Sequence, residues 1–259
     1  MDHRLTRRQA LAGIGLTLAA PALAQSSDDL EVPFVPTPHE LVRRMLDLAG
    51  VGAADYLIDL GCGDGRIAVA AAQRGARALG VDLDPMRIQE AAAAARAAGV
   101  EGRARFRRQD LFATPIYEAS VVTLYLMPQI NLRLRPRLMT ELAPGARIVS
   151  HAFNLGDWAP DAQEQHDGRR IFLWHVPAVA GGSWELSLAN GSVQLLELEQ
   201  RFQEVSGTLS GAGAPVTVTG RLQGTALTLA SADGAVRLAG RVGDRSIEPA
   251  DASWRAERV

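Results

Sequence analysis

Tyr56-Leu57-Ile58-Asp59-Leu60-Gly61-Cys62-Gly63-Asp64-Gly65-Arg66 is the stretch from which the fold follows. It opens as an apolar run of strand length, carries a carboxylate at Asp59, and passes into three glycines that alternate with other residues. A helix is predicted to start at about Gly65. Alternating glycines let the chain turn sharply and bring its backbone against a ligand with no β-carbon in the way. The start of the helix adds free N–H groups and the positive end of a dipole, which suit a ligand carboxylate. Nicotinamide and flavin proteins use a similar turn, so the neighbouring segments must decide between cofactors.

Outward from this loop, strand candidates at Tyr56–Leu60, Ala78–Val81, Arg105–Arg108, Ser120–Leu126 and Arg147–Ala152 alternate with helix candidates at about 39–49, 65–74, 85–98 and 129–142. Such alternation means βαβ units, hence a doubly wound, Rossmann-like parallel sheet with helices on both faces. Two helix starts are signposted. Thr37-Pro38-His39-Glu40 offers a capping hydroxyl, a proline at the first helical position and a glutamate three residues after the cap. Asp84-Pro85 repeats the device, and Gly99 can end that helix. From Gly181 the texture changes to short runs of partly alternating polarity broken by Gly, Asn and Asp, which predicts a small antiparallel β domain or barrel. Gly220-Arg221-Leu222 and Gly240-Arg241-Val242 form a weak repeat, each followed five residues on by Leu227 or Ile247. The expected organisation is a leader at 1–24, a linker at 25–31, an α/β domain at 32–178 and a β domain at 181–259.

Two further acids sharpen the cofactor reading. Asp82 ends the second strand candidate, where a carboxylate can accept the hydroxyls of a ribose, a feature shared with NAD sites. Asp110, followed by Leu111, ends the third, within reach of an exocyclic adenine amine. With these elements in order, the chain from about Val32 to Asp161 resembles the class I S-adenosylmethionine-dependent methyltransferases. Asp59, Gly61, Gly63 and Gly65 match that family's first motif, Asp82 its ribose acid and Asp110 its adenine-side acid. The spacing is GxGxG, one residue shorter than the dinucleotide GxGxxG. The resemblance implies S-adenosyl-L-methionine as cofactor, with Cys62, Asp64 and Leu111 also lining its site.

Phe34-Val35-Pro36-Thr37-Pro38, taken with Asp59–Arg66, is similar in particular to the small protein-lysine methyltransferases that modify mitochondrial carriers and ATP synthase subunits, and to their bacterial relatives. That resemblance implies that Thr37 lies near the methionine end of the cofactor. The leader and the C-terminal β domain depart from that group. Methyl transfer asks the protein for approach geometry and a dry pocket rather than a fixed acid–base pair. The fourth strand ends Leu124-Tyr125-Leu126-Met127-Pro128, without the Asn/Asp-Pro-Pro-Tyr/Phe of enzymes that methylate exocyclic or amide nitrogens, which lowers DNA and RNA bases and glutamine amides as acceptors. A protein side chain is slightly favoured over a small molecule. Tyr125 and His151, at the ends of the fourth and fifth strand candidates, are the catalytic candidates, with packing against the cofactor and a structural histidine as their plainer roles. Cys62 reads as an apolar filler in the loop. His166 and His175 are not spaced for a metal, so no metal is expected.

Composition limits the rest. Net charge is −2, from 27 basic and 29 acidic residues, which removes the electrostatic case for a nucleic-acid partner. Every basic residue is arginine, so Schiff-base and P-loop lysine chemistry are excluded. Residues 1–24 run from Arg4, Arg7 and Arg8 through an Ala/Leu/Gly-rich segment to Ala22-Leu23-Ala24, the three-part build of an export signal. Thr6-Arg7-Arg8-Gln9-Ala10-Leu11 resembles a twin-arginine leader, so a periplasmic or exported protein is expected, or a cytoplasmic one if the leader is not a signal. The apolar run is too short and mild for a stable span. Two rival readings stay open: a binding protein that keeps the cofactor fold without catalysis and binds through its β domain, and a nicotinamide oxidoreductase.

Overall fold

A computed structural model of the protein describes residues 34–211 and 213–259; the expected leader and linker lie outside them. The quoted apolar run is strand β1 (Tyr56–Leu60), the centre of a seven-stranded sheet. With β2 (Arg77–Asp82), β3 (Ala104–Arg108), β4 (Val121–Leu124), β5 (Arg147–His151), β6 (Ala162–His166) and β7 (Arg169–His175), the order is β3-β2-β1-β4-β5-β7-β6. The first five strands are parallel, and β7 runs antiparallel to both β5 and β6. Ile58 stands opposite Leu79 on one side and Val122 on the other. All four residues of β4 are buried, as befits a strand covered on both faces. The outer strands are blunted differently: β3 exposes Arg105, Arg107 and Arg108, and β6 is the polar run Ala-Gln-Glu-Gln-His.

Helices α1 (His39–Leu48), α2 (Arg66–Gln73) and α3 (Pro85–Ala97) cover one face, while α4 (Pro128–Glu141) covers the other. On the α1/α2 side, Leu41, Met45, Leu46, Ile67 and Ala71 pack on Leu57, Val121 and Val149. On the α4 side, Ile130, Leu134 and Leu138 pack with Ile58, Leu124, Ile148, Trp158 and Trp174. Each fully buried large apolar side chain stabilises the fold by about 1.5–3 kcal/mol. Asp84 caps α3 as expected, accepting from the Met86 N–H at 2.8 Å. Thr37 does not cap α1. The helix starts after Pro38 with no side-chain cap, and the Thr37 hydroxyl is spent elsewhere.

Eight further strands, β8 (Gly182–Leu188), β9 (Val193–Arg201), β10 (Glu204–Ser210), β11 (Val216–Gln223), β12 (Ala226–Ser231), β13 (Arg237–Val242), β14 (Ser246–Pro249) and β15 (Trp254–Arg258), pair antiparallel in sequence and close β15 on β8. The result is a closed barrel, which leaves no sheet edge. The Gly-Arg repeat is its repeated hairpin: Leu222 pairs with Leu227 and Val242 with Ile247, all four pointing into the core with Trp184, Leu186 and Leu196. A β-carbon at Gly220 would fall on the carbonyl of Thr228, so the strands approach there as only glycine permits. A turn at Phe202-Gln203 links β9 to β10.

The barrel meets the α/β part at the end of the sheet where the parallel strands begin. Ala178 donates to Gly224 O at 2.8 Å, Gln203 Nε2 donates to Ala159 O at 2.7 Å, and Arg221 pairs with Asp161 at 2.7 Å. The opposite end, where those strands finish, holds the glycine loop. A fragment from Ala178 to Val259 is expected to give β-type circular dichroism and a cooperative melt, because its core closes on itself. An unfolded fragment would mean that the contacts at Asp161 and Ala159 are required to form it.

Candidate functional site

The carboxyl ends of β3, β2, β1, β4 and β5 form a row, and nearly every residue singled out from the sequence lies along it. In sheet order the row reads Asp110, Asp82, Asp59 with the glycine loop, Tyr125 and His151. Five strand ends at about 4.8 Å spacing make a row roughly 19 Å long. The order reverses between β1 and β4, the place where open α/β sheets bind ligands.

The loop is shaped by its glycines. Gly61, Gly63 and Gly65 have φ of 77°, 52° and 78°, a region side-chain-bearing residues rarely adopt. Gly61 and Cys62 both donate to Val81 O at 2.9 Å, which ties the loop to β2. A β-carbon at Gly65 would come within 2.6 Å of Ala91 Cβ and 2.7 Å of Phe106. Gly63 donates to Asp82 Oδ2 at 2.9 Å, and Asp84 N donates to Asp82 Oδ1 at 3.0 Å. Asp82 therefore ties the glycine loop to the end of β2. Phe34 lies over Gly63, with the Arg87 guanidinium 4.5 Å from its ring centre.

Asp59 is buried near the carboxyl end of β1. Thr123 donates to its Oδ1 at 2.7 Å, while no described group partners Oδ2. Burial, opposed by the Thr123 hydrogen bond and reinforced by the charges of Asp82 and Asp64, pushes its pKa up to about 7. A buried acid with a bare oxygen matches a cationic group on a ligand. Burial, with the charges of Asp59, Asp82 and Asp64, pushes the Cys62 thiol upward, which fits a packing role for the buried side chain. Burial also acts against ionised Asp64, but its hydrogen bonds to Arg66 prevail and hold it below the usual range. Arg66 reaches on to Thr37 O at 2.8 Å and so fastens the segment before α1 to the loop.

Asp110 caps a short 3₁₀ turn, Leu111–Ala113, by accepting from Phe112 N at 2.8 Å. Arg137 of α4, paired with Glu141, donates to the carbonyls of Leu111, Phe112 and Thr114 and holds that turn in place. Nothing in the sequence pattern pointed to Arg137, since an arginine four residues before a glutamate reads as a solvated helix pair. At the other end of the row, the Tyr125 and His151 ring centres are 3.9 Å apart, and His151 Nδ1 is 3.1 Å from Thr37 Oγ1. His175 instead pairs with Asp161 at the barrel end, and His166 with Asp167.

The ANTKMT methyltransferase domain matches residues 59–162. The chain is 47% identical over 131 residues to a protein-lysine N-methyltransferase of Saccharolobus islandicus, covering 50% of this chain and 81% of that one. It is 34% identical over 176 residues to the mouse adenine nucleotide translocase lysine N-methyltransferase, covering 65% and 76%. Among solved structures it is similar to an RNA methyltransferase from Salinibacter ruber in complex with S-adenosyl-L-homocysteine. That likeness has 47% identity and a TM-score of 0.54, over 55% of this chain and 94% of the other.

Proposed function

We propose, from the premise that this chain belongs to the S-adenosylmethionine-dependent methyltransferases of the ANTKMT domain family, that its acceptor is the side-chain amine of a protein lysine. The chain is a methyltransferase, and neither an inert binding protein nor a nicotinamide oxidoreductase is supported. The observation that carries the lysine reading is the name shared by relatives 47% and 34% identical to it, over most of their length. The end of β4 agrees, since Leu124-Tyr125-Leu126-Met127-Pro128 lacks the polar proline motif suited to exocyclic nitrogens.

In this reading Asp82 takes the ribose hydroxyls, Asp110 the adenine amine and Leu111 the face of the ring. The backbone of Gly61, Gly63 and Gly65 lies along the methionine part, with Cys62 and Asp64 shaping the turn. Asp59 Oδ2 meets the ammonium group, and Thr37 stands near the methionine end. When bound, the cofactor supplies an electrophilic methyl group, which a neutral amine takes up as positive charge passes from sulfur to nitrogen. The chain's own residues bind, orient and exclude water, and the spent proton leaves to solvent.

Asp59 makes this reading pH-dependent. At pH 6 the empty site holds Asp59 largely protonated, and binding an ammonium group must expel that proton. S-adenosylhomocysteine is therefore expected to bind about tenfold more weakly at pH 6 than at pH 8. Calorimetry at both values checks this, and Asp59→Asn should flatten the difference. A flat profile in the unmodified protein would remove Asp59 from the ligand's charged end.

The acceptor class is tested with labelled S-adenosylmethionine and a cell lysate. Acetylating the lysate's amines beforehand should abolish labelling, and ribonuclease should leave it intact. The reverse pattern would favour an RNA acceptor. Export remains part of the proposal through Arg7-Arg8 and Ala22-Leu23-Ala24, with cleavage expected before Gln25. A twin-arginine route would carry the protein folded and loaded with cofactor. N-terminal sequencing of periplasmic protein decides it, and an intact Met1 in cytosolic protein alone would end it.

A further inference from the structure

The end of the row beyond the glycine loop contains a group that cofactor binding does not use. His151 closes β5 with 1% of its surface exposed, and Thr37, 3% exposed, stands against it. Thr37 Oγ1 is 3.1 Å from His151 Nδ1, and the Tyr125 ring lies 3.9 Å, centre to centre, from the imidazole. His151 Nε2 is buried with no partner among the described residues. Leaving a buried polar atom unpaired is costly, so its retention marks a place where a partner arrives.

The Thr37 hydroxyl points the same way. It sits next to the first turn of α1, where a threonine ordinarily caps the helix, yet α1 starts without a side-chain cap. The hydroxyl instead fixes a histidine 114 residues away in sequence. A local rule broken with such a compensation is expected at a functional site. Arg66 adds a second fastening by holding Thr37 O, so the hydroxyl is placed by the same residue that braces Asp64 in the loop.

We infer that His151 is the group that receives the acceptor amine, accepting an N–H hydrogen bond at Nε2, with Thr37 and Tyr125 as positioning residues. The inference rests on the proposed site, in which the ribose acid Asp82 lies on β2 and the reacting end extends over β4 and β5. With the Nδ1 proton donated to Thr37 Oγ1, Nε2 presents a bare lone pair, and the bond it accepts turns the amine's own lone pair toward the methyl group. Burial, aided by the charge of Arg169, holds the imidazole pKa down at about 4. A neutral ring can accept such a bond, whereas a charged one would repel both an ammonium and a sulfonium.

The test requires no knowledge of the acceptor. Sinefungin carries an amine where the cofactor carries its sulfonium methyl, and S-adenosylhomocysteine has nothing at that position. Calorimetry with both ligands on the full chain should show His151→Ala losing about tenfold or more of sinefungin affinity, with S-adenosylhomocysteine held within about twofold. His151→Gln, whose amide oxygen can accept, should restore part of the loss. Equal weakening of both ligands, or no change in either, overturns the assignment of His151. A parent protein that binds neither ligand overturns the cofactor site itself, so the two failures are distinguishable.

Discussion

Gly63→Val is expected to cost about a hundredfold or more in affinity for S-adenosylhomocysteine while the protein stays folded. Gly63 has φ of +52°, where a β-branched residue is strained by about 1–3 kcal/mol. The new β-carbon would also lie 2.8 Å from Phe34 Cδ2, and Phe34 is 45% exposed and can be pushed aside. The damage therefore falls on the loop and its cover and leaves the core alone. In the proposed binding mode the added methyl groups would intrude where the ligand runs along the loop. Calorimetry with a parallel thermal melt checks both halves, and near-normal binding by a folded variant would remove this loop from the cofactor site.

Asp82→Ala is expected to weaken the same ligand by about 1.5–3 kcal/mol, the worth of hydrogen bonds to a charged group. Its carboxylate already accepts from the backbone of Gly63 and Asp84, so alanine strips two loop donors of their partner. A lowered melting temperature should accompany the lost affinity. Unchanged affinity would mean that Asp82 serves only the loop and that the ribose is held elsewhere.

Much of this site is legible in the sequence, because its signals are local. The glycine loop, the acids at the ends of β1 and β2 and the cap at Asp84 each lie within a few residues of the feature they create. The Gly220 and Gly240 repeat was likewise visible, and it corresponds to one hairpin used twice. What escaped depends on distant pairing. Strand β6 is a polar edge with little apolar alternation, and β14 has only four residues. Thr37 carries a sound capping signature, yet tertiary contact with His151 wins over it. Arg137 looks like half of a surface ion pair and instead props the turn beside Asp110.

The chain's lack of lysine makes the central claim unusually clean to test, since methyl-lysine cannot arise from self-modification. The protein is incubated with labelled S-adenosylmethionine and lysate, the protein fraction is hydrolysed, and the amino acids are separated. The account predicts label that co-migrates with Nε-methylated lysine, and none when the purified protein is incubated alone. Label recovered in nucleosides, or in another amino acid, would contradict it.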